Sequence, residues 1–311
     1  MTHRWRIPLS FLSVAVIAQA YSIDAAATVV NLDEFSIVRS GTAIFDDSFN
    51  QNTTLNGGSG TTLSSGTTFS DGTAANYFVR GSIPETTANN GQAQLNTANG
   101  ILIPQPSPFF SLVQEVSGNL QTGVNPAGSH ALTPANAFSA IGLFDLAVPS
   151  AVFGTYEIFL SNTTLATEGR VLHIQLRECR AGGGLCGADT GPVLQFTWLD
   201  FVNNENTLIN QVPLTPAELA DPQLELELSH AAGSDVVTAL YAFGSGNTLA
   251  SFNGTLMALG STSSGTDVFT STLNFVQPGF DAFDAVVPEP SSLAILAVGL
   301  LGLGAFRRYA K

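Results

Sequence analysis

The chain has 311 residues, 44% of them apolar and only 11% charged, with a formal net charge of -14 and a pI near 4.4. That apolar share supplies a sizeable core and excludes wholesale disorder. The acidic balance excludes nucleic acid as a partner, because phosphate contacts need clustered Lys and Arg; the only lysine is Lys311, and between the two ends the basic residues are Arg39, Arg80, Arg170, Arg177 and Arg180. The length allows one large all-β domain or two small ones. An acidic body attracts divalent cations weakly, but composition identifies no site for them.

The chain opens with a basic stretch containing Arg4 and Arg6, followed by an apolar run from Ile7 to Ala18. Ala18-Gln19-Ala20 and Ala25-Ala26-Ala27 then offer two small-residue cleavage sites. This order predicts a signal peptide over residues 1–27. The alternative is a buried N-terminal helix. Pro8 and the abrupt polar sequence after Ala27 oppose it.

The body is expected to span residues 28–284. Residues 50–76 are rich in Gly, Ser, Thr and Asn and predict a long flexible or twisted loop region, with room for short edge strands. Ile103 to Phe110 reads as a proline-punctuated entry to a strand. Val152 to Leu160 and Val236 to Phe243 read as central strands. Period-two alternation places Leu172, Ile174 and Leu176 opposite His173, Gln175 and Arg177, and places Leu194, Phe196 and Trp198 opposite Gln195 and Thr197. Leu224, Leu226 and Leu228 alternate with Glu225 and Glu227, and Phe269, Leu273 and Phe275 share a further face. Such segments predict antiparallel sheet with one wet face, and their spacing predicts a β-sandwich. One short helix is expected at Thr215-Pro216-Ala217-Glu218, from its capping box and its proline at the first helical position, with Asp221-Pro222 stopping it.

Cys179 and Cys186 are the only cysteines, separated by Arg-Ala-Gly-Gly-Gly-Leu. In an oxidising compartment they are expected to form a disulfide, and the glycines allow the turn to close. Zinc needs three or four ligands and His173 alone does not complete a set, so no metal site is read. Glu225 and Glu227 share a strand face. Two carboxylates about 5 Å apart can cleave a glycoside, but a solvated outer face is the expectation because no third acid or flanking aromatic accompanies them. Trp198, Tyr156 and Tyr241 are candidates for a sugar-stacking platform or for core positions. His130, His173 and His230 are isolated, and no nucleophile elbow, P-loop or dinucleotide fingerprint occurs, so no catalytic residue and no cofactor are read.

The C-terminus carries Pro288-Glu289-Pro290, an apolar run from Leu293 to Phe306, then Arg307-Arg308 and Lys311. The 14-residue run spans roughly 21 Å as a helix, short of about 30 Å of hydrocarbon. Gly299, Gly302 and Gly304 weaken it further, so transient insertion suits it better than permanent anchoring. Basic residues at both extreme ends predict that both face the cytoplasm and that the body lies outside. The prolines force extended backbone around Glu289, as a protease site requires.

This order of motif, span and basic stop resembles the sorting tail of PEP-CTERM proteins of Gram-negative bacteria. The resemblance covers about 25 residues (287–311) and implies that Pro288, Glu289 and Pro290 are read by the membrane peptidase exosortase, with Arg307 and Arg308 as the stop. It further implies an exported, non-enzymatic protein of the envelope, outer surface or exopolysaccharide and biofilm matrix, with polysaccharide as a possible partner and a jelly-roll or concanavalin-like sandwich as its body. A lectin-like glycan-binding module and a glycoside-active enzyme are the alternatives. A simple C-terminal anchor without processing is the alternative for the tail.

Overall fold

The computed structural model describes residues 29–50, 53–55, 62–80, 86–89, 92–96, 101–103, 115–117, 121–124, 130–146, 154–161, 170–179, 186, 189, 191–200, 205–263 and 276–284. The expected signal peptide and sorting tail lie outside these residues, as do Pro104 to Phe110 and the face formed by Phe269, Leu273 and Phe275. The described residues are all-β with antiparallel pairing, and no helix among them is long and apolar enough to cross a membrane.

The strands in chain order are β1 (Val29–Arg39), β2 (Thr42–Asp47), β3 (Thr53–Leu55), β4 (Thr62–Thr68), β5 (Ala74–Arg80), β6 (Thr86–Asn89), β7 (Gln92–Asn96), β8 (Ile101–Ile103), β9 (Glu115–Ser117) and β10 (Gln121–Val124). They continue with β11 (Phe138–Asp145), β12 (Gly154–Ser161), β13 (Arg170–Cys179), β14 (Gly191–Asp200), β15 (Glu205–Pro213), β16 (Gln223–His230), β17 (Val237–Gly244), β18 (Met257–Ser261) and β19 (Gln277–Asp284). One sheet runs β18-β17-β16-β11-β1-β7-β6-β3, with β2 also paired to β1. The other runs β15-β14-β13-β12-β19-β10-β5-β4, with β8 and β9 attached beside β19. Ser40 and Gly41 both have positive φ, 50° and 80°, which suits the tight two-residue hairpin joining β1 to β2.

Alternation decides which side chains meet between the sheets. Phe35, Gly142, Leu226 and Tyr241 form one cross-strand row, from β1 through β11 and β16 to β17. Phe280, Ile158, Ile174 and Phe196 form a row on the other sheet, from β19 through β12 and β13 to β14. Phe35 meets Phe280 edge to face with ring centroids 5.2 Å apart. The apolar residues of both rows belong to one continuous buried core. Fully burying an aliphatic or aromatic side chain contributes about 1.5–3 kcal/mol, so such rows dominate the stability of the body. Along one side the edge strands β15 and β18 are tied by the Asn210 amide, which donates to the Leu259 carbonyl.

The Gly/Ser/Thr-rich stretch 50–76 contains short edge strands, as expected: β3 and the seven-residue β4 are each the terminal strand of a sheet, and the stretch enters β5 at Ala74. Two expectations need correction. The expected helix is a single 3-10 turn, Glu218–Ala220, although its capping box forms as read. There the Thr215 amide donates to Glu218 Oε2 at 2.7 Å and the Glu218 amide to Thr215 Oγ1 at 3.3 Å.

The second correction concerns the wet face. His173, Gln175, Gln195, Thr197, Glu225 and Glu227 are all buried. Neighbours on the same outer face explain this. Glu225 stands between Leu143 and Ala242, both fully buried. Gln195 lies against the Cys179–Cys186 disulfide, whose cysteines pack on buried Val193.

Candidate functional site

Among the described residues, a concavity lies at one end of the β1–β11–β16–β17 sheet. Its origin is a β-bulge: the register of β1 on β11 shifts between Leu32 and Glu34, so Asp33 is the extra residue and leaves the ladder. Asp33 Oδ2 accepts a 2.6 Å hydrogen bond from the Nε2 of Gln223, which opens β16 opposite Asp145, the last residue of β11. Gln223 also pairs with Gly244 at the end of β17. Three strand ends therefore converge at the bulge.

Two loops complete the wall. After β2, Asp47 accepts from the Phe49 amide at 2.8 Å and from the Tyr77 hydroxyl at 2.7 Å. Phe49 is fully buried with φ 51°, an unusual conformation for a bulky residue, held by packing on Phe280 at 6.0 Å. Its neighbours Ser48 and Asn50 line the concavity. After β17 the chain folds back: Asn253 Oδ1 accepts from the Ser245 amide at 2.9 Å, and the Leu249 amide donates to Glu34 Oε2 at 2.8 Å. Gly246 has φ 132°, and a Cβ there would lie 2.4 Å from the Ser251 carbonyl oxygen, so the close turn needs glycine.

The resulting groove has a volume of about 530 Å³, within the roughly 300–1,000 Å³ of small-ligand sites. Asp33, Asp145, Gln223, Asn50 and Asn247 supply its principal polar groups, and among the described residues that line it there is neither a basic nor an aromatic side chain. Gln223 is only 4% exposed, and its Oε1 has no hydrogen-bond partner. Beside the groove, burial and the nearby charges of Asp46 and Asp33 push the Glu34 carboxyl up to about 7 despite its bond from Leu249.

Glu225 and Glu227 follow Gln223 on the same outer face but do not line the groove. Burial, reinforced by the charge of Glu227, pushes Glu225 up to about 7. Glu227 Oε1 accepts from the Ser139 hydroxyl at 2.5 Å. The expected solvated pair is thus a buried one.

The disulfide between Cys179 and Cys186 forms, with a Cα separation of 5.5 Å. It covers a side-chain ladder in which Gln175 donates to Gln195 and Gln195 donates to Gln211 at 2.7 Å. Gln211 in turn donates to Asp189. On the same sheet, His173 Nδ1 bonds Glu157. His130 pairs with Asp71 at 2.9 Å and stacks on Phe69, and His230 bonds two backbone carbonyls, so the three histidines stay apart. Among the described residues, no group of three or more His, Cys, Asp or Glu is arranged to hold a metal ion. Tyr156 and Tyr241 are buried and Trp198 packs against the same core, so no aromatic platform forms from them.

The groove could not be read from the sequence, since residues 33, 145, 223 and 247 converge only through a bulge and three strand ends. The one available signal was the density of Asn, Ser and Asp around residues 46–50 and 245–253.

Residues 286–308 match the family model of the PEP-CTERM protein-sorting motif. This match contains Pro288-Glu289-Pro290, the apolar run and Arg307-Arg308. Comparisons with curated proteins and with solved structures found no match to the chain.

Proposed function

We propose that a chain bearing a PEP-CTERM sorting motif, and therefore exported and sorted to the cell envelope through exosortase, serves as a non-enzymatic protein of the outer surface or exopolysaccharide matrix. The motif at residues 286–308 carries this reading. A disulfide-stapled, two-sheet body supports it, because such a scaffold suits an oxidising exterior. We read that body as a sandwich of the jelly-roll or concanavalin-like kind. The position of Glu225 and Glu227 outside the groove lining favours a role without glycoside chemistry.

Intact mass of the protein recovered from its native envelope and medium tests the proposal. Loss of both the leader and everything after about Pro288 to Ser292 is expected. A mass that retains the C-terminal apolar run would mean a lasting anchor and would remove the matrix-release reading.

A further inference from the structure

We infer that residues 245–253 form a strap across the groove, held shut by a single proton on Glu34 and released when that proton leaves. The strap departs from β17 at Gly244, which stands in one row with Gln223 of β16, Asp145 of β11 and Asn31 of β1. Glu34 lies on β1, three strand spacings from β17, or about 14 Å. The strap crosses that distance, because its Leu249 amide donates to Glu34 Oε2 at 2.8 Å. Its base is pinched by its own bonds: Ser245 and Asn253 exchange backbone and side-chain hydrogen bonds at 2.9 to 3.1 Å. Its tip is a turn closed by Thr248 and Ser251. Among the described residues, the Leu249–Glu34 bond is the one hydrogen bond that joins 246–252 to another part of the chain. Ser245, Gly246, Asn247 and Thr248 line the groove, so that bond positions one wall.

The same carboxyl holds the other wall. Asp46 of β2 stands opposite Ser36 of β1, which places it diagonal to Glu34. The two side chains are hydrogen-bonded to each other, and two ionised carboxylates can only accept, so one of them carries a proton. Ser48 and Asn50, which line the groove, follow Asp46 by two and four residues. Protonated Glu34 thus clasps both walls, the strap by accepting and β2 by donating.

Glu34 is only 6% exposed. Burial is the largest cause that raises its carboxyl to about 7, and it outweighs the Leu249 bond, which favours the ionised form; Asp46 and Asp33 add their charges. The other titratable or charged groups on the neighbouring strands are Asp47 of β2, Asp145 of β11, Glu225, Glu227 and His230 of β16 and, at the far end of β1, Arg39; the strap and β7 carry none. Ionised Glu34 loses its bond to Asp46 and leaves a charge nearly sealed from water. Lifting the strap readmits water, so the open strap takes the ionised form. The proton's contribution to closure is complete below about pH 4.5 and is lost as pH rises through about 7. The groove is therefore bounded in acidic surroundings and open in alkaline ones.

Hydrogen–deuterium exchange of the exported protein between about pH 5.5 and 8.5, corrected for the intrinsic rate at each pH, tests the strap. Expected is a loss of protection in 245–253 of about tenfold or more, centred near pH 7 and insensitive to dilute urea, because local opening exposes little surface. Glu34→Gln can make both bonds without a titrating proton, so its strap should stay protected across the range. Carbon-13 NMR of the Glu34 carboxyl should titrate with the midpoint of the strap. Protection in the unsubstituted protein that does not change with pH overturns the proposal, whether or not the variant folds. A loss as urea-sensitive as that of β13 overturns it too, since the whole body would then be opening. So does a loss undiminished in folded Glu34→Gln, or a Glu34 midpoint apart from that of the strap. Tail processing plays no part in these readouts, so the sorting proposal and the strap fail separately.

Discussion

Gly142 of β11 and Ile158 of β12 face each other across the two sheets so closely that a Cβ on Gly142 would lie 2.4 Å from Ile158 Cδ1. The Gly142 position falls in the row that also holds Phe35 and Leu226, where every partner is fully buried. The same Cβ would lie 3.0 Å from both Ile158 Cγ1 and Phe144 Cε2, so a methyl group there meets two side chains at once. Gly142→Ala should therefore destabilise the body by about 1–3 kcal/mol, the usual cost of overpacking. Denaturant melts of the two proteins check this. Equal midpoints would mean that Ile158 has a free alternative rotamer.

The disulfide closes a loop of eight residues, Cys179 to Cys186. Loop-closure entropy for that length predicts a loss of about 2–3 kcal/mol on replacing both cysteines by alanine. The variant should also loosen the cover over Gln195, so amide exchange in β14 should rise more than in β16. Intact mass of the native protein should be two hydrogens below the dithiol form. Free thiols in exported protein would contradict the pairing.

Glu225 makes stability depend on pH. Its carboxyl is raised from 4.5 to about 7, chiefly by burial and secondarily by Glu227, so the folded state holds the proton more tightly than the unfolded one. The favourable contribution is complete below about pH 4.5 and is lost as pH rises through about 7. Glu225→Gln should be more stable than the parent at pH 8, by on the order of 2 kcal/mol, and no more stable at pH 4. Glu34, raised to about 7 on its own account, is common to both proteins and cancels in the difference. Thermal melts across pH 4–8 decide it; a gap independent of pH would reject the ionisation argument.

Replacing Pro288-Glu289-Pro290 by three alanines should leave export intact and abolish tail removal. Mass spectrometry of envelope fractions reads this directly. Normal processing of that variant would show that the peptidase reads some other part of residues 286–308.

Strand faces were legible because side-chain period is a local property. Leu172, Ile174 and Leu176, and likewise Leu224, Leu226 and Leu228, point into the core as their alternation predicts. Whether the opposite face is wet is not local. Gln175 and Gln195 read as solvent-facing, yet they hydrogen-bond each other and Gln195 rests against the Cys179–Cys186 disulfide. Glu225 reads as exposed, yet Leu143 from β11 and Ala242 from β17 enclose it. The capping box at Thr215 and Glu218 was legible at atomic detail, since all its partners lie within four residues. The sorting motif was legible for a different reason: it is a linear signal, recognised as sequence by its reader. The groove required register, and no short window of sequence contains the bulge at Asp33.

The last described strand, β19, is an interior member of its sheet, paired with β12 on one side and β10 on the other. It ends at Asp284, four residues before Pro288. Four residues reach at most about 14 Å when fully extended. To Leu293, where the apolar run begins, the reach from Asp284 is nine residues, about 30 Å when fully extended. A peptidase that reads Pro288 must therefore work within about 14 Å of chain from a strand held on both sides by its sheet.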